Sequence, residues 1–148
     1  MTGRVFVDTN ILIYALDPAD PWKRQVSADL LRQTIANRTL TLSPQSLNEA
    51  YRVLSQRRRM MPAREARAYI ATLAPWAIAP LDAATTQRAF EVEDETGYSW
   101  WDSLMLASAL RAGCRLFVSE DLSHGRDVSG LRIASPFTEG FVKVLGGR

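Results

Sequence analysis

Apolar residues in this chain fall into short runs set between stretches of helical length. Residues 4–7 (Arg4-Val5-Phe6-Val7), 39–42, 116–118 (Leu116-Phe117-Val118) and 131–133 (Leu131-Arg132-Ile133) are rich in β-branched and aromatic side chains and are bounded by polar or turn-forming residues. That is the pattern of strands buried on both faces. Residues 76–79 form a weaker strand candidate. Between these runs the pattern predicts helices. One starts at Asp8 and breaks at Asp17-Pro18-Ala19-Asp20-Pro21, because proline cannot continue the hydrogen-bond ladder. Others cover residues 22–36, Ser43-Pro44 to about residue 56, and 62–73, where Ala66, Tyr69, Ile70 and Leu73 recur at i, i+3, i+4 and i+7. Two more run from Asp82 to Gly97 and from Ser99 to near Gly113. Residues 120–130 read as a polar loop, and residues 137–145 as a short terminal segment. Short strands alternating with helices define an α/β class, a parallel sheet with helices on both faces.

Composition narrows this picture. A chain of 148 residues, 47% hydrophobic, has the size of one globular domain, so residues 1–148 are expected to fold as a unit. No apolar run approaches the roughly 20 residues of a membrane span, and the basic start meets acidic Asp8 without a secretory cleavage pattern. A cytoplasmic location is expected. The single cysteine, Cys114, fits a reducing compartment and a core-packing role. The net charge of +2 permits nucleic acid as a partner without requiring it.

The candidate chemistry lies in the acids. Asp8 ends the first strand where a helix begins, which suits either a helix cap or an oxygen ligand in the crevice beyond the strand ends. Glu49 and Asp102 each complete a Ser-x-x-acid capping pattern, from Ser46 and from Ser99. Ser43-Pro44 is the better helix start, which leaves Glu49 a turn further in, beside an apolar stretch. Asp102 follows two tryptophans and precedes a nearly apolar run, so its carboxylate needs a partner. Asp121 stands just past the strand at 116–118, where a turn residue is the simpler explanation. Taken together, these acids fall at strand ends or early in helices. Carboxylates converging without cations repel, so a cluster of this kind suits a divalent ion. Oxygen donors without His or Cys favour Mg²⁺ or Mn²⁺, and such an ion suits phosphodiester hydrolysis.

Four separated segments, Val7-Asp8-Thr9-Asn10-Ile11-Leu12, Leu47-Asn48-Glu49, Trp101-Asp102-Ser103-Leu104 and Val118-Ser119-Glu120-Asp121-Leu122, resemble the PIN-domain family, particularly the toxin (VapC) members of VapBC toxin–antitoxin pairs. The resemblance covers essentially the whole chain. It implies a five-stranded parallel sheet in the order 3-2-1-4-5 and ribonuclease activity with Mg²⁺ or Mn²⁺. It also implies a homodimer and a small antitoxin partner. Carried onto this sequence, Asp8, Glu49, Asp102 and Asp121 become the catalytic acids and metal ligands, with Asn10 and Ser119 supporting them by hydrogen bonds. Glu120 is expected to point elsewhere, since neighbouring strand residues alternate faces. Arg52, Arg57, Arg58 and Arg59, with Arg64 and Arg67, are candidates for holding RNA phosphates or for a solvated helix end. Tyr14, Trp22, Trp100 and Trp101 are candidates for base stacking or core packing. His124 is expected to order its loop. The stripe from Ala66 to Leu73, with Met60 and Met61, fits ordinary core or a partner-helix contact. The alternative function is a non-catalytic module that binds RNA or protein.

Overall fold

The computed structural model describes residues 3–141, and the far end of the expected terminal segment lies outside the described residues. Strand β1 (Arg4–Val7) leads through Asp8 into helix α1 (Thr9–Tyr14). Helix α2 (Pro21–Ala36) follows the proline break, with Asp20 accepting from the Lys23 amide at 3.1 Å and proline in its first turn. Next come strand β2 (Leu40–Thr41) and helix α3 (Pro44–Arg52). The chain then continues as α4 (Ala63–Leu73), α5 (Ala83–Thr96) and α6 (Trp100–Arg111). Strands β3 (Cys114–Val118), β4 (Asp127–Val128) and β5 (Leu131–Ala134) close it. Gly97, at φ 72°, supplies the left-handed residue that ends α5.

The sheet order is β2-β1-β3-β5-β4, parallel except for β4, which pairs antiparallel with β5. The predicted α/β sheet is present, and the four expected strands β2, β1, β3 and β5 keep their expected sequence of neighbours. The edges differ. Residues 76–79 do not form a strand: Pro75 and Pro80 flank them, and a 3-10 turn covers Ala74–Trp76. They still lie beside β2, with the Leu42 amide donating to the Trp76 carbonyl at 2.9 Å and the Ala79 amide to the Leu42 carbonyl at 3.0 Å. The fifth strand is instead β4, inside the predicted loop. Ser129 (φ 52°) and Gly130 (φ 92°) make the tight turn that folds β4 back onto β5.

Side-chain alternation along β1 sends Val5 and Val7 to one face and Phe6 to the other. The first face packs against α1 to α4, and the stripe of α4 is part of that core through Ala66 and Leu73. On the second face, α5 and α6 cover Phe6 and Phe117, whose rings stack with centroids 5.1 Å apart. Cys114 is buried there, and burial pushes its thiol pKa up to about 11.

Candidate active site

The chain leaves β1 toward β2 on one side and returns as β3 on the other, so the sheet switches direction between β1 and β3. Open α/β sheets leave a crevice at the strand carboxyl ends of such a point. Here a cavity of about 510 Å³ occupies it, lined by Asp8, Asn10, Glu49, Asp102, Glu120 and Asp121 together with Tyr14, Arg52, Arg57 and Arg58.

Asp8 continues the β1–β3 ladder, donating its amide to the Val118 carbonyl at 2.9 Å. Its Oδ1 accepts from the Thr9 amide and its Oδ2 from Ser119 Oγ, both at 2.7 Å. Asp8 is thus both the N-cap of α1 and a lining residue of the cavity. Burial raises its pKa from 3.8 to about 7; the two hydrogen bonds pull the other way, and the nearby charges of Asp102 and Asp121 add to the rise. Ser119 Oγ also accepts the Asp121 amide at 3.2 Å, and Asn10 Nδ2 donates to Asp121 Oδ2 at 2.8 Å. Asn10 and Ser119 thus tie Asp121 and Asp8 into one hydrogen-bonded group.

Glu49 enters from α3. The capping box of that helix is made by Ser43 and Ser46, so Glu49 is free of the role offered by Ser46. Its Oε2 accepts from Thr9 Oγ1 at 3.1 Å and its Oε1 from Gln45 Nε2 at 2.9 Å. In α6 only half of the second capping box forms. Ser99 Oγ accepts the Asp102 amide at 3.2 Å, while the Asp102 carboxylate lines the cavity.

After Arg52 the backbone widens into a π turn over Val53–Arg57. An α-helix would bring residues three and four further along onto the wall next to Arg52; the wider turn brings Arg57 and Arg58 there instead. Arg52 and Arg57 make no ion pair among the described residues. Arg58 does, donating to buried Asp17 at 2.8 Å. Arg59 has a left-handed backbone (φ 50°) and lies off the cavity, as does Arg67, which sits over the Tyr51 ring. Arg64 does not line it either.

Glu120 departs from the sequence expectation, while the tryptophans and His124 take placements it allows. Glu120 does reach the cavity, because β3 ends at Val118 and strand alternation stops there. It accepts from the Tyr14 hydroxyl and pairs with Lys23, a cation that no sequence signal marked. Among the aromatic candidates, Trp100 packs on Phe90 and Trp22 on Phe137, while Trp101 is 63% exposed. His124 lies off the cavity and ties its loop to the end of β5, its Nδ1 accepting from the Ser135 amide at 3.0 Å.

Among the described residues no group of three His, Cys, Asp or Glu side chains stands close enough to hold a metal ion as placed. The donor chemistry nevertheless fits a hard cation. All the acids offer oxygen, Asn10 Oδ1 is a buried acceptor without a partner, and Mg²⁺ is held by as few as one or two carboxylates with water completing its shell. Among the described residues no helix is long and apolar enough to cross a membrane.

A crevice of acids at the switch point of a mostly parallel five-stranded sheet defines the class of domain. The family model of the PIN domain matches residues 5–126, and the chain belongs to that family. Its fold is similar to that in the crystal structure of VapBC2 from Rickettsia felis bound to a DNA fragment from their promoter. That likeness has a TM-score of 0.64 and 17% identity, covering 88% of this chain and 97% of the other. No curated protein matches the sequence.

Proposed function

We propose that the protein is a metal-dependent endoribonuclease, the toxin of a type II toxin–antitoxin pair. One observation carries this reading. Acids from four separate chain segments, Asp8, Glu49, Asp102 and Asp121, meet in one cavity with the unpaired guanidiniums of Arg52 and Arg57 on its wall. Acids alone repel a phosphodiester, and guanidiniums alone do not activate water; the two sets side by side suit hydrolysis of a nucleic acid backbone.

Asp8, Asp102, Asp121 and Glu49 would hold Mg²⁺ or Mn²⁺, which when bound polarises a phosphodiester and lowers the pKa of water. Ser119 and Asn10 keep the Asp8 and Asp121 oxygens aimed at the cavity. Arg52 and Arg57 hold substrate phosphates, and exposed Trp101 offers a face for an unpaired base, which suits single-stranded RNA. The family resemblance supports a homodimer and a small antitoxin that blocks the cavity, in a cytoplasmic setting.

Cleavage of total RNA by the purified protein tests the reading. Cutting should require Mg²⁺ or Mn²⁺, stop with a chelator, and be suppressed by a small protein that co-purifies. RNA left intact at every metal concentration would count against it.

A further inference from the structure

Gln45 does not line the acidic cavity, yet its side chain touches both helices that carry acids into it. It lies one turn before Glu49 on α3 and is buried. Its Nε2 donates to Glu49 Oε1 at 2.9 Å and to the carbonyl of Trp101, the residue before Asp102, at 3.2 Å. Both partners are acceptors, so the amide has one workable orientation; reversed, it would set oxygen against oxygen twice. In that orientation Oε1 is buried with no hydrogen-bond partner. A side chain selected for stability alone does not leave a buried acceptor unmatched, and such departures concentrate at functional sites.

Helix α3 packs on α1 and α4, while α6 packs on α5 and β3, on opposite faces of the sheet. The core sets each helix against its own face. Spacing between their acids falls to polar contacts at the carboxyl edge of the sheet, and the Gln45 amide spans that gap.

We infer that Gln45 is a positioning residue whose single amide fixes the carboxylate of Glu49 relative to the first turn of α6, and so sets the spacing of Glu49 and Asp102 for a divalent cation. This rests on the metal-dependent reading above. It acts through Glu49 and Asp102 and touches no substrate.

The test is Mn²⁺ binding to the metal-free full chain by calorimetry, with melting temperature measured alongside, for the parent, Gln45→Met and Gln45→Asn. Methionine keeps the length and loses the donors; asparagine keeps the amide and is a methylene too short to reach both partners. Both variants should bind Mn²⁺ about 10-fold or more weakly, the usual loss when a residue supporting a metal ligand is removed. Metal-free melting should shift little, because the unmatched oxygen leaves or moves with the change. Folded variants that bind Mn²⁺ as the parent does would overturn the role of Gln45 alone. A melting temperature lowered by about 10 °C or more in both would overturn it in favour of a structural role. A parent that binds no Mn²⁺ would overturn the metal-dependent reading and this one with it.

Discussion

Helices α3 and α6 each deliver one acid to the same cavity, yet they are built differently. In α6 every residue from Ser103 to Ala109 is buried, so the helix is locked and Asp102 in its first turn is fixed by the core behind it. In α3 only Gln45, Ser46 and Ala50 are buried, the helix ends in a π turn, and its arginines stand in solvent. Rigid packing suits the acid that must hold its place. On the proposed function, a half-buried, widened helix would suit side chains that follow a nucleic acid backbone. One cavity thus combines a fixed wall with an adaptable one.

The comparison breaks most directly at Asp102. Asp102→Asn should remain folded and lose RNA cleavage by about 10³-fold or more, since several kcal/mol of charge stabilisation depend on such ligands; full activity in a matched assay would remove α6 from the chemistry. Next is packing. Leu106→Ala in α6 should cost about 2–5 kcal/mol in denaturant unfolding, and half-buried Val53→Ala in the π turn only about 1 kcal/mol. Equal losses would show that the two walls are equally locked.

Asp8, between the walls, gives a pH signature. Its folded pKa of about 7 exceeds the ordinary 3.8, so between these values the folded state binds the extra proton. Stability of the metal-free protein should therefore fall as pH rises from about 4 to 7 and level off above, a change on the order of a few kcal/mol. Asp8→Asn keeps a capping side chain and should flatten this slope; a melting curve with an unchanged slope would assign the pH dependence to other groups. On the adaptable wall, Arg57→Ala should weaken RNA binding about tenfold and reduce the salt slope by about one, with no change in stability. Arg58→Ala should instead act on the fold. The hydrogen bonds to Asp17 from the Ala19 amide and Arg58 hold its pKa below the usual carboxylate range, so their stabilisation is present above about pH 4 and lost as pH falls through the lowered value. Arg58 is partly exposed, so its removal should cost about 1 kcal/mol or less, read from acid unfolding curves.

Much of this was legible in the sequence because it rests on local rules. Val5-Phe6-Val7, the proline break at residues 17–21, the Ser43-Pro44 start and the Gly97 stop are set by short-range sterics and capping, and they appear where the pattern puts them. The acids were found by their places relative to strand ends, and the structure brings all four to one cavity. Contacts between distant segments were not legible. The pairing of Lys23 with Glu120 joins residues 97 apart, and the Gln45 bridge to Trp101 spans 56. The π turn left no periodicity to detect. Strand β4 did leave a signal in Val128-Ser129-Gly130-Leu131, but two residues are too few to outweigh the polar loop around them.

The shortness of that strand has a consequence beyond the site. Both outer strands of the sheet, β2 and β4, are two residues long, and β2 is flanked by the proline-bounded segment at 76–79. Long open edges are templates for strand addition and runaway aggregation, and among the described residues this sheet offers none. Strand addition at these edges is thereby disfavoured as a route to association.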